Sequence, residues 1–385
     1  MQYGSLQQSL YELQPVVQLV VLPVPLLLRN TLLGRFGGGR CVALLLSSIV
    51  SAHALSAQMP IGKSSVPPPT RLVLGSILGD GMIDDAVPIS AGRVALLVDG
   101  YQVIVLDSAA RVLVRFGARG AGPGETRQAR ELAVLKGDLI AVGDPSQTRV
   151  VFRKADGTHV RDATLGLVWT SMVPYRDGVL LRTLQIAGKN LIEVEERFLR
   201  PGSPSVSSLF KQSGPREKHM AGRGLFCSWC ATFGDTSGAF VVAAMEPEYV
   251  FHQLRTNGSI RKTFRGPNLP TVLPDSALRA KTAALLGRAG AEGAAANKLL
   301  LPFRSFTVTR AGGFDGSGNL WVLRTPPGQK ASVVDVFDPQ RRYRGTVQLS
   351  ERLYQARVSG HVLIGVARDG DDLPVVYQYR LDGFN

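Results

Sequence analysis

A chain of 385 residues with 45% hydrophobic residues is long enough to bury a sizeable core and too apolar for a disordered polyelectrolyte. Its formal charge of +14 favours anionic partners in principle. The basic residues are scattered through turns, however, and no stretch interleaves aromatics with basics, so nucleic acid is excluded as the expected partner.

In chain order, the first apolar run is Val16 to Leu28, interrupted by Pro23 and Pro25. A second, Cys41 to Val50 (CVALLLSSIV), follows Arg35 and Arg40 and leads into small residues at Ala52, Ala54, Ser56 and Ala57. A positive flank, an apolar stretch too short to span a bilayer and a small-residue exit describe a secretory signal peptide. Cleavage is expected after Ala57, with Ala54 as the alternative, and the product is expected to be secreted or periplasmic, without a stable transmembrane anchor. An apolar run ahead of a complete signal is odd, and a mis-assigned start codon is the plainer explanation for the segment from Met1 to about Leu33. Residues 1–57 are thus an extension plus signal, and 58–70, with the stiff Val66 to Pro69 (VPPP), a linker.

From Arg71 to Asn385 the pattern is an apolar strand, a turn, a second apolar strand and a polar turn, repeated. It stands at Arg93 to Asp107, Asp138 to Lys154, Gly178 to Val194, Ala239 to Leu254, Asn319 to Phe337 and His361 to Tyr379. With an inner strand before each pair and an outer strand after it, such as Glu131 to Leu135 and Thr158 to Leu165 around the second copy, each repeat is a propeller blade of about 40 to 45 residues. The expected fold is all-β, a six-bladed β-propeller over 71–385. The last copy runs out of chain after three strands, so the unassigned strand Arg71 to Leu78 (RLVLGSIL) is expected to complete it and cover two edges. Leu269 to Leu300 breaks the pattern. Its Ala and Leu content predicts a short helical insertion, with Asp275 or Ser276 as cap.

Val112 to Glu125 (VLVRFGARGAGPGE) resembles the outer strand and GxGPGE turn of bacterial six-bladed β-propeller proteins related to the NHL and TolB-like families. Gly316 to Val322 (GSGNLWV) resembles the turn and second strand of the same blades. The resemblance covers about 71–385 and implies a fold rather than a function, because propellers host enzymes, receptors and scaffolds. It also supplies two enzymatic comparisons. Propeller lactonases hold calcium with carboxylates converging from around the channel, whereas here Asp84, Asp85 and Glu131 come from two adjacent blades. Amidating lyases need zinc-binding histidines at several blades, and His159, His219, His252 and His361 are isolated.

Cys227-Ser228-Trp229-Cys230 is the most chemically pointed motif. A C-x-x-C pair can be a redox centre, half a zinc site or a short disulfide. No second pair supplies the remaining zinc ligands, and the following ATFGDTSG reads as strand and turn rather than the helix that would activate a thiolate. In an oxidising compartment the leading expectation is a disulfide between Cys227 and Cys230. The repeat register places Asp84, Asp85, Arg130, Glu131, Trp169, Trp229, Arg304 and Tyr354 near one end of the channel, where ligands of such rings bind; the plainer reading of each is a packed or solvated strand end. Asn257-Gly258-Ser259 fits a glycosylation sequon and, more simply, a hairpin turn.

The expectation is an exported, non-catalytic binding or scaffold module for a protein or glycan, with no cofactor. The alternative is a calcium-dependent hydrolase or lactonase of the gluconolactonase type; a redox role for Cys227 and Cys230 is a third reading.

Overall fold

The computed structural model describes residues 68–72, 75–79, 81–187, 191–203, 205–215, 231–244, 249–267, 307–325 and 330–381. Ala57, Cys227, Trp229, Cys230, Arg304 and the Ala-rich stretch 269–300 lie outside the described residues. Four antiparallel meanders of four strands stand in sequence. They are β2–β5 (Ile83–Pro88, Val94–Val98, Gln102–Leu106, Val112–Phe116), β6–β9 (Glu131–Leu135, Leu139–Asp144, Arg149–Lys154, His159–Thr164), β10–β13 (Trp169–Tyr175, Gly178–Ile186, Leu191–Leu199, Val206–Pro215) and β14–β17 (Thr232–Gly234, Phe240–Ala244, Val250–Leu254, Ile260–Arg265).

The remaining strands form one eight-stranded sheet: β18–β21 (Thr307–Phe314, Leu320–Thr325, Val333–Phe337, Tyr343–Gln348), β22–β24 (Leu353–Ser359, Val362–Arg368, Pro374–Arg380) and β1 (Thr70–Leu72), in the order β1-β24-β23-β22-β18-β19-β20-β21. Only two residue pairs, Gly312 with Arg357 and Gly313 with Val358, run in parallel across its middle. The first strand of each meander packs against its neighbours: β2 against β6 and β22, β10 against β6 and β14, and β18 against β14 and β22. The arrangement is all-β and propeller-like.

Apolar runs form these strands because the second and third strand of each meander are covered on both faces. Val94 to Leu97 and Val103 to Leu106 are essentially without solvent exposure, and the buried clusters lie between successive meanders. Outer strands are open to solvent instead; β5 and β17 show mostly exposed or half-exposed residues. Pro88 and Pro174 fall in first strands, which are sheet edges toward the centre, where a missing N–H removes no ladder bond. The N-terminal strand pairs with β24 as expected but stops at Leu72; Gly75–Leu78 is a single helical turn. Three residues suffice there because Leu72 is buried against Ile364, Val366 and Val376.

An aspartate caps turn after turn. Asp107, Asp235, Asp315 and Asp369 each accept the backbone N–H groups two and four residues on. The long connection 117–130 carrying the GxGPGE sequence is clamped by the end of β7 and the start of β8. The Arg149 guanidinium donates to the carbonyls of Ala121, Gly122 and Glu125, and Asp144 accepts the N–H groups of Arg127 and Gln128. Gly117 opens this loop at φ +92°, and a Cβ there would run into the Tyr101 carbonyl oxygen. Gly117→Ala is therefore expected to destabilise the fold by about 2 kcal/mol or more, readable as a drop in denaturation midpoint; an unchanged midpoint would refute the role given to this glycine.

Candidate functional site

Alternation of direction within each meander gives the molecule two faces. First strands begin at an upper face, which also receives the turns between second and third strands. They end at a lower face, which receives the other hairpin turns. Asp84, Asp85, Glu131, Trp169 and Tyr354 all stand in the first three positions of β2, β6, β10 or β22, and Arg130 immediately precedes β6, so all six sit at the upper end of the centre.

The structure brings some of them together. Asp85 has no solvent exposure and accepts from the backbone N–H of Ala86 (2.9 Å), the N–H of Leu132 (2.9 Å), the Gln355 amide and the Arg357 guanidinium (3.1 Å). Its carboxyl thus joins β2, β6 and β22. Burial pushes its pKa up and Arg357 opposes that rise. Asp84 beside it is half-buried and accepts the N–H of Gly100 (2.6 Å). Burial raises its pKa to about 6; the Gly100 bond opposes this, Asp99 and Asp85 add to it, and Arg130 opposes it. Tyr354 is exposed, and the Arg368 guanidinium lies 5.7 Å from its ring centre. Burial raises the Tyr354 phenol to about 12, with Arg368 opposing and Asp84 and Asp372 contributing.

Trp169 is not part of this group. It is buried, packing with Ala133, Leu135 and Met172 between the second and third meanders, and Glu131 is buried at the start of β6. Reading the sequence alone missed Gln355 and Arg357. A signal was present, since an arginine in the middle of the apolar strand Leu353–Ser359 demands a carboxylate somewhere. The sequence does not say which of 30 acidic residues supplies it.

A cavity of about 290 Å³ opens from the middle of the centre toward the lower face. Its lining combines small residues such as Pro88, Ala133, Gly234 and Gly312 with larger apolar ones such as Met172 and Phe314, with Arg357 toward its upper end and the capped turns of Asp235 and Asp315 at its lower rim. Among the described residues no three His, Cys, Asp or Glu side chains converge to hold a metal ion.

Asp84 yields a prediction whose sign is fixed. A carboxyl whose pKa is higher folded than unfolded costs stability once it ionises, so stability is greatest below the unfolded value near ~4 and falls as pH rises toward 6. The loss is on the order of 2 kcal/mol. Asp84→Asn keeps an acceptor for Gly100 and is expected to flatten that slope in denaturant titrations between pH 4 and 7; a slope equal to the parent's would refute the assignment.

The geometry defines an all-β, propeller-like protein with a charged seam at the upper end of its centre and a cavity below. No family model matches the chain, and no curated protein matches it. Among solved structures it is similar to virginiamycin B lyase from Staphylococcus aureus (8% identity, 81% of this chain and 99% of that one, TM-score 0.43). It is also similar to the calcium-binding protein regucalcin from Agrobacterium tumefaciens (12%, 82% and 95%, TM-score 0.45) and to the Dos1 propeller (10%, 78% and 79%, TM-score 0.41). Likeness of this degree transfers neither ligand nor reaction.

Proposed function

We propose that the chain is an exported six-bladed β-propeller that acts as a non-catalytic binding module for a protein or glycan partner. Six blades follow if the eight-stranded sheet is counted as two quartets touching at Gly312 and Gly313, with β1 as the outer strand of the last. The six first strands then contact one another in a closed circle.

One observation carries the binding reading. Six of the large apolar side chains left exposed gather at the upper face: Met82, Val168, Ile186, Leu191, Tyr354 and Leu373. They come from three different meanders, on rigid strand ends and short turns, as a recognition surface requires. The carboxylate that a channel-bound calcium would most need there, Asp85, already accepts four hydrogen bonds from the protein itself.

The hydrolase reading keeps one point in its favour, the half-buried Asp84 with a pKa near 6 beside Arg130 and Tyr354, suited to proton transfer. The test is native mass spectrometry of the full chain purified without chelator, run beside lactone and ester hydrolysis. A bare chain without turnover, together with a discrete partner cross-linked by the parent and lost in Ile186→Ser/Leu373→Ser, supports the module. Retained calcium with turnover abolished by Asp84→Asn overturns it in favour of the hydrolase.

A further inference from the structure

We infer that the lower corner of the molecule formed by β16–β17 and the β20–β21 turn is a docking surface for an anionic lipid bilayer. Positive charge, scattered in the sequence, is concentrated here by the fold. The segment Tyr249 to Pro267 carries Arg255, Arg261 and Lys262 at its lower end, with Arg265 opposite Val250 at the upper end of β17, and no acidic residue; Pro339 to Gln348 carries the exposed Arg342 and Arg344, the buried Arg341, and no acidic residue. The Lys262 ammonium donates to the Gln340 carbonyl, which binds the two segments into one surface.

Among the described residues the nearby carboxylates are few: Asp235 acts on Arg341, and Asp338 interacts with Arg344. Asp335 is buried and committed to Arg324, and Asp338, nearly buried, is paired with Arg342 at 2.7 Å. Arg261 and Arg344 are exposed and make no ion pair among the described residues. Burial depresses the pKa of Arg341; Asp235 and Asp338 oppose that, and Arg261, the smallest influence, adds to it, so Arg261 stands near enough to be felt. Proteins tolerate such crowding on an exposed corner when a partner supplies the counter-charge.

The shape selects the partner. Arg261, Lys262 and Arg344 stand on outer strands and Arg342 on a hairpin turn, all exposed and none lining the cavity, so the site suits a flat surface better than a chain that must lie in a groove. Ile260, 45% exposed, projects from the same strand immediately before Arg261 and Lys262. An exposed apolar side chain on a strand that also carries cations matches the boundary between anionic headgroups and acyl chains.

The test is co-sedimentation of the full chain with phosphatidylglycerol–phosphatidylcholine vesicles at low and high salt, with retention by pure phosphatidylcholine subtracted so that other apolar segments do not contribute. Anionic-lipid-dependent binding is expected, weakened by salt, and lowered about fivefold for each cation removed, hence on the order of 25-fold in Arg261→Ser/Arg344→Ser. Arg111→Ser/Lys136→Ser, exposed on turns of the first and second meanders, lowers net charge equally and is expected to bind as the parent does. Binding that is absent, unaffected by the first pair or equally reduced by the second overturns the inference. So does retention on immobilised heparin that is lost in the first pair while vesicles are ignored, which would assign the corner to a soluble polyanion.

Discussion

Asp335→Ala is expected to lower stability by about 4 kcal/mol, a larger loss than removing most single core side chains would cause. Asp335 has no solvent exposure. One carboxylate oxygen accepts from Arg324 Nε and from the Tyr249 hydroxyl (2.7 Å); the other accepts from the second Arg324 nitrogen (3.1 Å) and from Thr346, whose hydroxyl also meets that of Tyr343. Truncation leaves a nearly buried guanidinium and a fully buried phenol facing a void, and a charge left alone in the interior costs far more than the intact pair contributes. Burial, reinforced by Asp335, already drives the Tyr249 pKa well above its ordinary value, so the phenol cannot relieve the site by ionising. In a domain of this size the thermal midpoint should fall on the order of 10 °C. Asp335→Asn, which keeps the shape and one acceptor, should fall between the two. A midpoint in Asp335→Ala within a degree of the parent's would show that the network contributes nothing.

Asp85→Ala is expected to cost about 3 kcal/mol, and its damage should spread differently. The Asp335 network ties the fourth meander to the sheet that follows it, whereas Asp85 ties the first meander to the second and, through Gln355 and Arg357, to the last. Removing it withdraws the shared acceptor from two backbone N–H groups and two side chains at once. Hydrogen exchange distinguishes the cases. In Asp85→Ala, protection should drop in β2, the start of β6 and β22 before it drops in β15–β17, while Asp335→Ala should reverse that order. Uniform loss in both variants would mean that the meanders do not open separately.

The strands were legible because they are buried on both faces and bounded by turn residues. Val94 to Val98 and Gln102 to Leu106 fall inside the stretch Arg93 to Asp107, and the same holds for Leu139 to Lys154, where neither propensity nor pattern competes with the fold. Arg71 to Leu78 was legible only in part, since one apolar run does not reveal that three residues pair and the next form a helical turn. The candidate site was legible as a location and not as a set of bonds. Strand register places Asp84, Asp85 and Tyr354 at one end of the centre, but the contact of Asp85 with Arg357 closes across 272 positions of chain, and no local periodicity encodes it. Nor did the sequence reveal the cationic corner, because its two halves are about 80 residues apart and become one surface only when β17 is laid beside the β20–β21 turn.

The pairing of β1 with β24 sets the order in which the molecule can be completed. Thr70 to Leu72 reach their places opposite Val376 to Gln378 only after the strands β2 to β24 have been made, so the edge of β24 is sealed by a segment that precedes all the others. A seal of three residues held by one buried leucine is also exchangeable, for the same segment of a second copy fits the same edge. Concentrated refolding should therefore yield reciprocal dimers in which each copy closes the other, and dilution before refolding should return monomers.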